Sequence, residues 1–243
     1  EIPKKYETQM LAGTPPDLFA TGDVDIARHL ANNTILNLQP FVDADKFDLS
    51  AYFPDLLKAS QAPNGNLYAL GPDYGAQMLY YNKTLFDKAK ISVPDGTWTW
   101  QNMIDAAQTL TTGDGANKVY GSIAYNPWFA QFPCVWQNGG EIFSQDGKKC
   151  LMDSTESVGA LEYIANFVSK GWAPSPQQMS GMGMDSGQLF ATGRAGMFPG
   201  GHWEYSAFKE AGPFEWGVTV VPKSKKSAYF LHQAFWAVAK ATK

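Results

Sequence analysis

The sequence predicts an α/β protein of two lobes, and three observations carry that prediction. Short runs rich in Tyr, Leu and β-branched residues alternate with amphipathic helical stripes, the pattern of strands separated by helices. The stretch Leu67–Lys83 reads as strand, irregular turn, strand and helix start, with Leu67–Leu70 and Met78–Tyr81 as its apolar ends and Gly71, Pro72, Asp73 and Gly75 as the turn. We take that bend as the place where the backbone leaves one lobe and enters the other. Finally, 243 residues with 44% apolar content are enough for one large or two ordinary domains with a full core. In open α/β proteins ligands lie in crevices at strand ends and domain junctions, so the bend is also a candidate site; the plainer reading is a loop whose Tyr74 covers the core.

Composition narrows the function. A net charge of −4 and a pI near 5.4 give no attraction to nucleic acid or to an anionic membrane. The densest basic patch, Lys223, Lys225 and Lys226, follows Pro222 and reads as a solvated turn. Charged residues make up 17% and aromatics 14%, with eight Trp and eleven Tyr, a balance that favours recognition by flat amphipathic side chains. No apolar run is long enough to span a membrane. The two cysteines, Cys134 and Cys150, admit either a bridge closing a small loop in an oxidising compartment or two free thiols.

Taken in order, the chain opens with a helix carrying Ile2, Tyr6 and Met10 on one face, stopped by Gly13 and Pro15–Pro16. Asp17–Ala20 is a strand, and residues 21–25 form a turn that caps a helix through Ile26, Ala27 and Leu30. Thr34–Pro54 reads as a connector. Its Asp43, Asp45 and Asp48 spacing superficially matches a calcium loop, but Phe47 stands where an oxygen ligand is needed and the turn glycine is missing, so no metal is expected. Asn82 caps a short helix through Leu85, Phe86 and Ala89, ended by Pro94–Gly96, and Thr99 begins a helix with Trp100, Met103, Ile104, Ala107 and Leu110 as its apolar stripe. Tyr120–Ala124 is a strand running into an aromatic-polar stretch, Tyr125–Phe132.

The second half begins with Asp153 and Glu156 as a capping box for a helix that turns Val158, Leu161, Ile164, Ala165 and Val168 inward and closes at Lys170–Gly171. Pro174–Gly183 is loop; Asp185–Gln188 caps a helix with Leu189 and Phe190; Ala195–Phe198 is a brief strand; and Pro199–Tyr205 is a glycine-relaxed turn. Trp216–Val221 and Phe235–Ala239 are the last strands.

The signatures of common catalytic sites are absent: no G-x-S-x-G elbow, phosphate loop, dinucleotide-binding glycine motif or H-E-x-x-H helix occurs. His29, His202 and His232 are isolated, and His202-Trp203-Glu204 offers only half of a zinc-deaminase motif, without P-C-x-x-C. A carboxylate pair for glycoside hydrolysis would come from Glu141, Glu204 and Asp73, whose plainer roles are helix-dipole stabilisation and hydroxyl hydrogen bonding.

The pieces Ala12–Leu18 (AGTPPDL), Gly65–Leu70 (GNLYAL), Met78–Phe86 (MLYYNKTLF), Thr97–Trp100 (TWTW), Asn138–Phe143 (NGGEIF), Phe190–Met197 (FATGRAGM) and Gly217–Pro222 (GVTVVP) are each weak, but their order is specific. Together they resemble the extracellular solute-binding proteins of ABC transporters, in the sugar-binding group of maltose-binding protein. The resemblance implies an α/β, two-lobe periplasmic-binding-protein-like fold with crossing hinge strands, here incomplete at both ends. It implies lobe I from 1–75 with 222–243 and lobe II from 76–221. It further implies a sugar captured in an interlobe cleft and delivered to ABC permease subunits, outside the cytoplasmic membrane, with no cofactor, no catalysis and no nucleic acid or membrane-inserted partner.

By the same likeness Trp203, with Gly201 and His202, matches the aromatic that stacks on the sugar. Trp128 and Phe129 fall where the family adds sugar contacts, Thr21, Asp23 and Asp25 lie near the first-lobe contact loop, and Tyr74 and Gln77 occupy the crossing segment. Gly75 stands near an acid's usual place there, leaving Asp73 as its substitute, and His232 with Gln233 enters from the hinge side. The rival readings are a secreted carbohydrate-active hydrolase and a binding-protein-like sensor.

Overall fold

The computed structural model describes the backbone of residues 2–123, 127–209 and 214–242, and their side chains except at 2–4, 11, 23, 24 and 127–130. In chain order the elements are α1 (Ile2–Leu11), β1 (Leu18–Gly22), α2 (Asp23–Ala31), α3 (Gln39–Asp45), α4 (Pro54–Lys58), β2 (Ala69–Leu70), β3 (Gly75–Asn82), α5 (Lys83–Ala89) and α6 (Trp100–Leu110). They continue with α7 (Pro127–Gln137), α8 (Thr155–Ser169), α9 (Pro176–Met182), α10 (Ser186–Ala191), β4 (Met197–Gly201), α11 (Tyr205–Lys209), β5 (Trp216–Thr219), β6 (Leu231–His232) and β7 (Ala234–Val238). The chain divides into two compact units, residues 1–75 with 231–243, and residues 76–230. Residues 222–230 lie with the second unit: Lys223 bridges Thr99, the Lys226 N–H donates to the Gln137 carbonyl, and Gln137 Nε2 donates to the Ala228 carbonyl at 2.9 Å.

The first unit is built on an antiparallel sheet in the order β1-β7-β2, with Phe19 opposite Ala237 and Thr21 opposite Phe235. Alternation along β1 and β7 sends Phe19, Phe235 and Ala237 to one face, where they pack with Ile26, Ile35 and Ala69, and with Tyr6, Met10 and Leu30 at the margin. Part of the expected connector is the short helix α3, which Lys46 ends in the left-handed conformation.

The second unit carries the sheet β4-β3-β5, both pairings antiparallel, with Gln77 opposite Gly201 and Tyr81 opposite Gly217. One face packs Tyr80 with Phe190, Phe198 and Phe208; the larger core gathers Phe86, Met103, Leu110, Val135, Tyr163 and Phe167. Each such side chain stabilises the fold by about 1.5–3 kcal/mol relative to exposure. Asn82, Thr99 and Asp185 cap α5, α6 and α10 through side-chain bonds, as the sequence predicts.

Four local readings are corrected. The cap of α8 is Ser154, accepting from the Ser157 N–H, and not Asp153; the buried face is accordingly Ser157, Ala160, Tyr163, Ile164 and Phe167, while Val158 and Ala165 are exposed. Tyr163 decides this rotation by stacking on Trp100 at 4.0 Å between ring centroids. Residues 176–182, read as loop, form α9 behind a Ser175–Gln178 capping box. The stretch after Tyr120 forms α7 instead of a strand exit; Pro133 removes one helix bond, but Cys134 and Val135 are buried and packing overrides it. Tyr120 itself makes only an isolated bridge with Ala195, and Ala124–Asn126 lie outside the described residues.

Both cysteines are free thiols, Cys134 buried and Cys150 exposed, and burial pushes the Cys134 thiol far up. Among the described residues no helix is long and apolar enough to cross a membrane, and no group of His, Cys, Asp or Glu could hold a metal ion.

Candidate functional site

In the second unit, strand β4 ends at Gly201 and the chain turns through a single 3-10 turn, His202–Glu204, into α11. Gly201 takes an ordinary extended conformation (φ −108°, ψ 171°), so the glycine is not needed for the backbone. It is needed for space: a Cβ there would overlap the six-membered ring of Trp203, which lies back across Gly201. The Trp203 ring therefore rests on main chain while 45% of the residue remains exposed. The His202 ring meets it edge-on at 5.7 Å.

The floor beneath this turn is polar and fixed. The Tyr80 hydroxyl donates to the Gly201 carbonyl at 2.9 Å, and burial, with the Glu204 charge second, pushes the phenol up to about 12. Gln77, in register with Gly201, is 3% exposed, and its Oε1 has no hydrogen-bond partner among the described residues. His202 Nδ1 is likewise buried without a partner. Buried acceptors and donors left unsatisfied are costly.

Burial, followed by the nearby Asp185 charge, raises the Glu204 carboxyl above its ordinary range, and the neighbouring Trp203 side chain opposes that rise.

In the first unit a depression of about 230 Å³ opens beside the end of β1. Thr21, Asp25 and His232 line it together, with Tyr6, Arg28 and His29. Arg28 holds the wall in place by pairing with Asp25 at 2.7 Å and with Glu7. His29 is buried against the edge of Phe19, and burial, with Arg28 second, lowers its imidazole below the usual histidine range. Its Nδ1 lies 3.0 Å from Thr34 Oγ1.

The structure thus groups the expected site residues into two sets, Gln77, Gly201, His202 and Trp203 in the second unit and Thr21, Asp25 and His232 in the first. Tyr74 belongs to neither. It is 48% exposed and packs edge-to-face on Phe53 at 4.9 Å, so it does not cover the core, and Asp73 beside it is exposed. Asp23 begins α2 and Trp128 and Phe129 lie in the first turn of α7, but their side chains lie outside the described residues. Sequence reasoning missed Arg28, Glu7 and Phe53, and gave Glu204 a place in a carboxylate pair or at a helix dipole but not its position against Gly187. The available signal was glycine spacing: a Cβ at Gly187 would overlap the Glu204 carboxylate just as one at Gly201 would overlap Trp203.

Comparison with known proteins gives the family. The curated binding protein of Brucella abortus (strain 2308) is 26% identical over 93% of this chain and 54% of its own length. The arabinooligosaccharide-binding protein of Bacillus subtilis is 25% identical over 66% of this chain and 36% of its own. Among solved structures, the ABC substrate-binding protein Lmo0181 from Listeria monocytogenes, in complex with cycloalternan, superposes with a TM-score of 0.92 at 30% identity, over 99% of this chain and 61% of that one. This chain therefore spans between about a third and three fifths of these proteins' lengths. A family model described as bacterial extracellular solute-binding protein matches residues 1–243, and the chain belongs to that family.

Proposed function

We propose that this chain captures a sugar or oligosaccharide outside the cytoplasmic membrane for delivery to the permease of an ABC transporter, with Trp203 as the surface on which a sugar ring lies. The observation that carries this reading is the Trp203 indole, half-exposed yet fixed on Gly201. A flat ring held still offers apolar area to the C–H face of a pyranose without losing side-chain entropy on binding. Gln77, in register with Gly201, and His202, edge-on to the indole, are the polar residues nearest that surface. In the first unit, Thr21, Asp25 and His232 form the second set of contacts, Asp25 accepting from hydroxyls. Relatives whose names state an oligosaccharide or whose structures hold one support the ligand class. Catalysis is not part of the reading. The raised Glu204 carboxyl is what a glycosidase general acid would have, and for that reason the hydrolase alternative is tested beside it.

Thermal-shift and calorimetric titrations with maltotriose, arabinotriose and cycloalternan are the test, repeated on Trp203→Ala. At least one sugar should raise the melting temperature of the wild-type protein and fail to do so in the variant, with no new reducing ends on prolonged incubation. A shift produced by amino acids or polyamines and by no sugar overturns the ligand class. Sugar cleavage that Glu204→Gln abolishes establishes the hydrolase instead.

A further inference from the structure

We propose that the depression in the first unit sorts ligands by charge: two carboxylates, Glu7 and Asp25, occupy the guanidinium of Arg28 and leave the wall net negative, so that it admits neutral or amine-bearing sugars and turns away acidic ones. The inference rests on the reading of this depression as the first unit's share of the sugar site and adds the charge class of the ligand.

The three charged groups come from two helices. Glu7 lies on α1, whereas Asp25 and Arg28 stand three residues apart on α2. Arg28 Nη2 meets Asp25 Oδ1 at 2.7 Å, and Nη1 meets Glu7 Oε1, so each terminal nitrogen already faces a carboxylate. A guanidinium grips a carboxylate or phosphate best through two parallel N–H groups. An acidic ligand would have to displace a carboxylate of the chain before using both nitrogens of Arg28. The two carboxylates are partly buried and Arg28 is exposed, so water screens the cation more than the anions and does not reverse the sign.

The remaining walls do not restore the balance. Tyr6 packs on Phe19 at 5.6 Å between ring centroids, and His29 stands edge-on to the same buried ring at 5.3 Å. Burial first, and Arg28 second, lower the His29 imidazole, so it adds no positive charge at neutral pH. A low-dielectric wall of this kind focuses the field of the charges that share the depression with it. Thr21 and His232 line it as well and offer groups that pair with sugar hydroxyls.

The second unit repeats the sign. Glu204, next to Trp203, and Asp185 converge on Gly187, where an added Cβ would meet both carboxylates, and no ion pair among the described residues includes either. The exposed Trp203 ring is itself attractive to an ammonium group and not to an anion. Both sets of candidate contacts therefore oppose an acid.

Matched ligands test the proposal at about pH 7.5, a unit above the ordinary histidine value of about 6.5, and at low salt. For whichever of maltotriose, arabinotriose or cycloalternan the wild type binds, the free primary hydroxyls are converted to carboxylates in one sample and to primary amines in another. Both changes fall on the same positions, so the ratio of the two affinities isolates charge. In calorimetric titrations the amine should bind the wild type at least about tenfold more tightly than the acid. Glu7→Gln should shrink that ratio about fivefold, and Arg28→Gln should enlarge it by a similar factor. A triad that served packing alone would weaken both ligands alike and leave the ratio where it was.

An acid that binds the wild type as tightly as the amine overturns the proposal, and so does a ratio that neither substitution moves. Should one variant fail to fold, the other still shifts the ratio in its own direction. If no sugar binds the wild type, the functional reading fails, and NMR titration of the His29 imidazole without ligand then tests the field directly. Glu7→Gln should lower that imidazole and Arg28→Gln should raise it, following the signs of the charges removed. An imidazole that neither substitution moves would show the triad's charges screened out of the depression, and overturns the proposal by itself.

Discussion

Replacing Gly201 with alanine isolates the platform from the rest of the fold. At φ −108° alanine carries no backbone strain, so the added methyl acts only by displacing the Trp203 ring that it would overlap. Trp203 is 45% exposed, and a tryptophan offers up to roughly 250 Å², so about 140 Å² is covered. Swinging the ring off the main chain and uncovering half of that costs at most about 1.7 kcal/mol at 25 cal/mol per Å². The lower chain entropy of an unfolded alanine returns about 0.4–1 kcal/mol, so the net loss of stability is of the order of 1 kcal/mol.

Binding responds more strongly. A sugar face covering about 70–80 Å² of ring gains close to 2 kcal/mol from it, and losing that contact weakens affinity about 30-fold. Urea unfolding gives the first quantity, calorimetry with the trisaccharide the second, and near-ultraviolet circular dichroism reports whether the ring has moved. A changed indole band with affinity within twofold of wild type would refute the platform. An unchanged band would refute the steric argument.

The remaining predictions concern stability. Asn82 is buried, caps α5 by accepting from the Leu85 N–H at 3.1 Å, and donates to the Gly193 carbonyl at 3.4 Å; Asn82→Ala should therefore lower the unfolding free energy by about 1–2 kcal/mol in urea, and a loss under about 0.3 kcal/mol would mean the cap is dispensable. Because Glu204 titrates above its unfolded value, the fold favours its protonated form, and that contribution is present at low pH and lost as the pH rises through the folded value. Glu204→Gln should accordingly raise the urea midpoint at pH 7, with the gain vanishing below about pH 4.3, where a free glutamate is itself protonated; no gain at neutral pH would contradict the burial argument.

What the sequence made legible was what is local. The caps at Asn82, Thr99 and Asp185 are read from a residue and its partner three positions on, and all form. The helix after Asp153 shows where locality fails. Asp153 and Ser154 are both competent caps, and the choice between them rotates the buried face by one residue. Tyr163 and Phe167 settle that choice through Trp100, in α6, and Trp172, just beyond the end of α8. The α9 helix was legible and went unread: Ser175, Pro176 and Gln178 are a complete start signal, masked by the glycines and methionines that follow.

The site divides along the same line. Trp203 could be picked out by its resemblance to a known position, but its support could not, because the ring meets Gly201 only once the turn beyond β4 folds it back. Likewise Thr21, Asp25 and His232 become neighbours only when β1 pairs with β7 and sets Thr21 opposite Phe235. Aromatic and charged residues announce themselves in a sequence, whereas the space in which they are held is defined by side chains that are missing. In the proposed site the recognition element is thus a tryptophan laid on a glycine. Of the two, Gly201 carries the sharper test, since alanine there displaces the ring while leaving every polar group in the site in place.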